Sequence, residues 1–128
     1  MKNSFRILSL ICVTFSLFGF QCVKEKEGIG PLLKGKLSVA GICYNYTITL
    51  GDDNSEFDPT QVENSWTDPK TGITYQKAFR LANYCQFPSH IREGDEFYFR
   101  VISRGTNDCF TCLADYPTPA KALAIRVQ

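Results

Sequence analysis

Four cysteines downstream of residue 30 carry the chain's most distinctive chemistry: Cys43, Cys85, and the close pair Cys109 and Cys112 with two residues between them. A Cys-x-x-Cys pair can run thiol-disulfide exchange, the first thiolate attacking a substrate and the second resolving the mixed disulfide. That role needs the first thiol at a helix N-terminus, where the dipole lowers its pKa. Here the pair follows Asp108 and lies among segments that read as strands, with no βαβ pattern, so paired structural disulfides are the expectation and exchange the alternative. If the segment is extended, the two α-carbons lie about 10 Å apart at roughly 3.3 Å per residue, too far to bridge. Each would then pair with Cys43 or Cys85; a turn would instead permit a local bridge. A four-thiolate zinc site would need a second close pair, which Cys43 and Cys85 do not form, so no metal is expected.

Other chemistry is sparsely supplied. His90, the sole histidine, stands beside Ser89 on a polar stretch, where a solvated residue is expected rather than a Ser/His hydrolase. Asp52, Asn54, Glu56 and Asp58 alternate like calcium ligands but lack the glycine and closing glutamate of an EF-hand, so a turn-forming loop is expected. No Gly-rich phosphate loop and no cofactor motif is present. Aromatic rings are plentiful at Tyr44, Tyr46, Trp66, Tyr75, Tyr84, Tyr98 and Tyr116. Most rings on alternating strands are core. Should some form a face for a glycan or a protein partner, Trp66, Tyr84 and Tyr116 are the candidates, because they sit near loops.

The elements that must hold these residues read as strands. Leu33 to Leu50 alternates with a phase shift at Gly41, as expected of one long strand bent or bulged there. Cys43 would then share a face with Asn45, Thr47 and Thr49. Asp58-Pro59-Thr60-Gln61 reads as an N-cap, a first-turn proline and a capping glutamine, giving a short helical turn over 59–64. Trp66 would close that turn as a plug or lid. Ile73 to Ala82 alternates with Ile73, Tyr75, Phe79 and Leu81 inward. Glu96 to Ser103 is apolar on both faces, as in a central strand. Cys109–Asp115 and Ala120–Val127 complete five strands. The fold class is all-β: a small antiparallel five-stranded barrel, OB-like, or a sandwich, with one short helical turn.

The N-terminus addresses the protein. Lys2 and Arg6 precede an apolar run from Ile7 to Phe20, which stops at Cys22 and is followed by Lys24-Glu25-Lys26-Glu27. The run of fourteen residues, interrupted by Ser9, Thr14, Ser16 and Gly19, falls short of the roughly 20 that a spanning helix needs, and no small-x-small site for ordinary signal peptidase lies between Ser16 and Cys22. The segment resembles a bacterial lipoprotein signal of the permissive Bacteroidota type, cut before a cysteine that carries diacylglycerol. Gln21 and Phe20 depart from the usual small residues, and Gly19 stands where leucine is usual. Ala82-Asn83-Tyr84-Cys85-Gln86-Phe87-Pro88, Glu93-Gly94-Asp95-Glu96-Phe97 and the cysteine pair with Pro117-Thr118-Pro119 likewise resemble small Bacteroidota lipoproteins, a likeness that implies no particular activity.

The resemblance implies a signal peptide over 1–21, a lipidated Cys22 with a tether over 22–32, and one β-domain over 33–128. Two or more acyl chains make such an anchor stable. The protein would sit in the cell envelope, at the outer membrane, facing the periplasm or the surface. Of 14 basic residues, Lys2 and Arg6 leave with the signal, so twelve would face 13 acidic ones. A near-neutral chain is a poor partner for nucleic acid. The expected function is a non-enzymatic binding or assembly module for a glycan or an envelope protein; the alternative is a membrane-tethered thiol-disulfide oxidoreductase using Cys109 and Cys112.

Overall fold

In a computed structural model, which describes residues 30–128, the chain forms six strands: β1 Leu33–Ala40, β2 Tyr46–Leu50, β3 Glu63–Thr67, β4 Thr74–Leu81, β5 Glu96–Ile102 and β6 Ala122–Val127. Three single 3₁₀ turns, Ile42–Tyr44, Pro59–Gln61 and Tyr84–Gln86, are the only helical pieces among the described residues. The expected signal segment, Cys22 and the Lys24–Glu27 run lie outside the described residues.

β1 pairs with β2 and β5, β5 with β6, β6 with β4, and β4 returns to β2, so five strands close a barrel, while β3 adds to β4 from outside. Numbering the barrel strands in chain order, the circuit runs first, second, third, fifth, fourth, which is an OB-like arrangement. Two details differ from expectation. The barrel is mixed, because β4 and β6 run parallel with Leu81 opposite Leu123. The barrel has the expected five strands, and among the described residues β3 is a sixth that lies outside it. The core is the barrel interior, filled by Leu33, Leu37, Ile48, Leu50, Phe79, Phe99 and their neighbours. Phe99 sits beside Phe79 and Phe97 with ring centroids 5.9 and 5.8 Å away.

The expected long strand from Leu33 to Leu50 is two strands, β1 and β2, folded back on each other with Ala40 opposite Tyr46 and Gly35 opposite Leu50. The phase shift at Gly41 therefore marks a reversal, not a bend. A Cβ at Gly41 would lie 2.5 Å from the Asn45 carbonyl oxygen and 2.9 Å from the Tyr116 side chain, so only glycine fits this tight return. The 3₁₀ turn after Asp58 forms as expected, with the Asp58 carboxylate accepting from the Thr60 N–H at 2.9 Å. It ends at Gln61, and β3 follows where a longer helical turn was expected. Ile73, expected inward, is exposed because it belongs to the tip of the β3–β4 hairpin. Tyr98 is exposed too, since the second face of β5 is the barrel's outer wall. Gly30, within the expected tether, is fixed to β5: its N–H donates to Val101 O at 3.1 Å, and its carbonyl accepts from Arg100 at 3.0 Å.

Candidate functional site

Three loops meet at one side of the barrel. They are the short β1–β2 return over 41–45, the β4–β5 connection over 82–95, and the nineteen-residue β5–β6 connection over 103–121. Irregular loops of more than about 12–15 residues are uncommon in compact domains and are usually functional or disordered. This one is pinned. Cys112 is bonded to Cys43 and Cys109 to Cys85, with α-carbons 5.2 and 5.5 Å apart. The expected strand over Cys109–Asp115 does not form; β6 closes the barrel without it. Each sulfur of the pair nonetheless joins a partner elsewhere, because the segment passes two different loops in turn. Both Cys109 and Cys112 are exposed, unlike the buried staples usual in small domains.

Val39, Thr47 and Ala78 share an outward face by register, yet all three are buried and lie outside the interior core cluster. Hydrogen bonds from Asn45 Nδ2 to Ala114 O and from Thr111 Oγ1 to Cys43 O, both 3.2 Å, tie the loop down beside them.

Its far end is latched by Tyr116, whose hydroxyl donates to buried Asp68 Oδ2 at 2.8 Å. Burial alone would push the Asp68 carboxyl up. Hydrogen bonds from the Lys70 N–H, the Tyr116 hydroxyl and Thr71 outweigh it and hold the group below the usual carboxylate range. The same bond to Asp68, with burial, pushes the Tyr116 phenol up. A lowered carboxyl stabilises the fold above its unfolded pKa of about 4, and that contribution is lost as pH falls through the lowered folded value. A raised phenol contributes below its unfolded pKa of about 10 and loses that as pH rises through the folded value. Tyr116→Phe should therefore flatten the thermal midpoint on both the acid and the alkaline limb between pH 2 and 11. Parallel curves for the variant and the parent would refute the latch.

The β1–β2 return is strained. Cys43 and Tyr44 have φ of 54° and 60°, in the left-handed region, which costs a non-glycine residue roughly 1–2 kcal/mol. This corrects the expected extended position of Cys43. The strain is held by the bond to Cys112 and by Asn45, whose N–H and Nδ2 both donate to Ile42 O at 3.2 and 2.7 Å. Its effect is to turn Ile42 and Tyr44 outward. Strained, over-determined residues of this kind cluster at binding and catalytic sites.

Tyr44 lies against Tyr84, from the 3₁₀ turn of the β4–β5 connection, with ring centroids 5.8 Å apart and planes within 9°. Tyr46 meets Tyr44 edge-on at 5.8 Å and meets Phe87 at 5.7 Å, continuing the contacts inward to the core. Beside the tyrosine pair is a cleft of about 360 Å³ lined by Tyr44, Tyr84, Arg80, Asn107, Leu113 and Asp115 among others. Arg80 and Asp115 make no side-chain hydrogen bond or ion pair among the described residues. Asn107 is committed, donating to Ala82 O at 2.6 Å and accepting from the Cys85 N–H at 3.2 Å.

Of the three aromatic candidates from the sequence, Tyr84 lines this cleft. Tyr116 is the latch described above. Trp66 is on β3, half-buried and stacked on Tyr75 at 6.0 Å, within a strand and not the expected lid. Tyr44 and Arg80 were missed; the phase break at Gly41, three residues before Tyr44, was the available signal. The acidic loop has structural duties: Asn54 bonds both main-chain groups of Lys34, and Asp58 caps its turn. His90 is exposed. No protein-family model matches the chain, and no significant match exists among curated proteins or solved structures.

Proposed function

We propose that this chain is a non-enzymatic binding module of a bacterial cell envelope, lipid-anchored at Cys22, that takes a saccharide on the Tyr44–Tyr84 pair. Two disulfides indicate an oxidising, extracytoplasmic compartment. The observation that carries the ligand class is the pair of near-parallel rings beside a cleft with uncommitted charged groups. A sugar offers an apolar C–H face to stack on a ring and hydroxyls at its edge for Arg80 and Asp115. Two of the three loops, over 41–45 and 103–121, correspond to those through which OB-like barrels take oligosaccharides and oligonucleotides, and the near-neutral charge favours the first. Likeness of fold alone would not carry this reading; the site does.

The oxidoreductase alternative has less support, since Cys109 and Cys112 are each bonded to a different loop and not to each other. The ligand reading is tested by glycan-array screening followed by calorimetric titration of the best hit. Tyr44→Ala should weaken binding about tenfold or more, as expected of a central aromatic contact, with the thermal midpoint little changed because Tyr44 is exposed. Unaltered affinity in Tyr44→Ala and in Arg80→Ala would sink the assignment.

A further inference from the structure

Around the Cys43–Cys112 bond, at the rim of the cleft, the stapled loops carry a second feature. Phe110 and Leu113 are fully exposed, at 102% and 98%, on either side of Cys112, and Ile42 is 58% exposed beside Phe110. Side chains so bare on an ordered loop are unusual. Two covalent bonds hold Cys109 and Cys112 while the residues between and after them project outward. We propose that this tip, formed by Ile42, Phe110 and Leu113, seats the domain on a lipid bilayer by inserting into the boundary between headgroups and acyl chains.

Three observations choose a bilayer over other occupants. The first is size. With Tyr44 included, the patch presents on the order of 500 Å², whereas a stable protein interface takes roughly 800 Å² from each partner. A second copy or a tightly bound protein would need more surface than the tip supplies, but wedging a few apolar side chains into lipid does not. The second is charge. Asp108 and Asp115 flank the tip in sequence, and no cluster of lysines there would favour an acidic protein face.

The third is the tether, and here the inference rests on the anchoring part of the reading above. Nine residues from Cys22 reach about 30 Å, comparable with the diameter of a domain of this size. The tether joins at Gly30 beside Val101, away from the tip, and is long enough to let any face turn toward the membrane. The apolar tip then sets which face does. Tethering keeps the tip at a high effective concentration near lipid, so weak insertion suffices.

The test uses the full chain with phosphatidylcholine vesicles whose acyl chains are brominated. Phe110→Trp is made in a Trp66→Phe background, and the parent chain, with Trp66 on β3, serves as the inert reference. The expected result is a blue shift and at least a twofold quenching of the Phe110→Trp emission, none for Trp66, and no change between low and high salt. Emission at residue 110 that stays unquenched would overturn the proposal. So would a concentration-dependent dimer that disappears in Phe110→Ser/Leu113→Ser, since the tip would then be covered by a second copy. Both serine substitutions lie on exposed positions and leave the core intact. Saccharide binding is read separately through Arg80→Ala, a cleft residue outside the tip, and intact mass of the envelope-derived chain reports the lipid on Cys22.

Discussion

Replacing Cys43 and Cys112 together with serine is expected to destabilise the domain by about 3–4 kcal/mol. The bond closes a loop of 69 residues, for which the entropy removed from the unfolded chain is worth about 4.4 kcal/mol. The inner bond from Cys85 to Cys109 spans 24 of those residues, and the shortened circuit lowers the value only to about 4 kcal/mol, because the dependence on length is logarithmic. Relaxation of Cys43 and Tyr44 out of the left-handed region returns part of the loss. A domain of this size has about 5–15 kcal/mol in total, so the variant should still fold but with a urea midpoint lower by roughly 2–3 M. A shift below 0.5 M would mean that the closed barrel and the Tyr116 latch hold the loops without help.

Asn83→Ala should cost about 3 kcal/mol without touching an apolar contact of note. Asn83 is 2% exposed, and its side-chain amide acts where the main chain of β4 has turned away from β6. Oδ1 accepts from the Ile125 N–H and Nδ2 donates to the Ile125 carbonyl, both at 2.8 Å. The amide thus supplies one more rung of the parallel ladder after Ala82, whose N–H donates to Leu123 O at 2.8 Å. Alanine leaves a donor and an acceptor stranded in the interior, each costing about 1–3 kcal/mol. Urea titration reads the stability, and hydrogen exchange at the Ile125 amide reads the cause, since its protection should fall further than that of Phe99. Full protection at Ile125 in the variant would show that another group has taken the place of Asn83. The fit on the other side of Asn83 is close as well: a Cβ added at Gly105 would sit 2.1 Å from the Asn83 Cβ, so only glycine is accommodated at 105.

How far such features can be read from residues alone depends on what each residue signals locally. The barrel interior was legible because Leu33, Leu37, Ile48, Phe97 and Phe99 alternate, and alternation is what a wall with one buried side imposes. The cap at Asp58 and Pro59 was legible because its chemistry is local. β3 was not, since Glu63-Asn64-Ser65-Trp66-Thr67 is an outer strand with little to bury and so carries no alternation. The Gly41 return was hidden because Cys43 and Tyr44, not the usual asparagine or glycine, take the left-handed positions. Cys109-Phe110-Thr111-Cys112-Leu113 has the composition of a strand, but β6 takes the closing place in the barrel, and the two disulfides to loops distant in sequence hold the segment elsewhere. The cleft was half legible for the same reason: Tyr84 stands beside recognisable turn residues, while Tyr44 and Arg80 reach it through the reversal and the circuit of strands.

The two cysteine bonds are nested, the inner lying wholly within the outer. A chain delivered N-terminus first into an oxidising compartment would present Cys43 and Cys85 to each other before either native partner had crossed. The earliest bond open to it among these four sulfurs is therefore a wrong one. Reaching the native pattern then requires either that oxidation wait for the last sixth of the chain or that a resident isomerase undo the first pairing. Biogenesis of this small barrel is thus tied to the thiol chemistry of its host compartment, independently of what the finished domain binds.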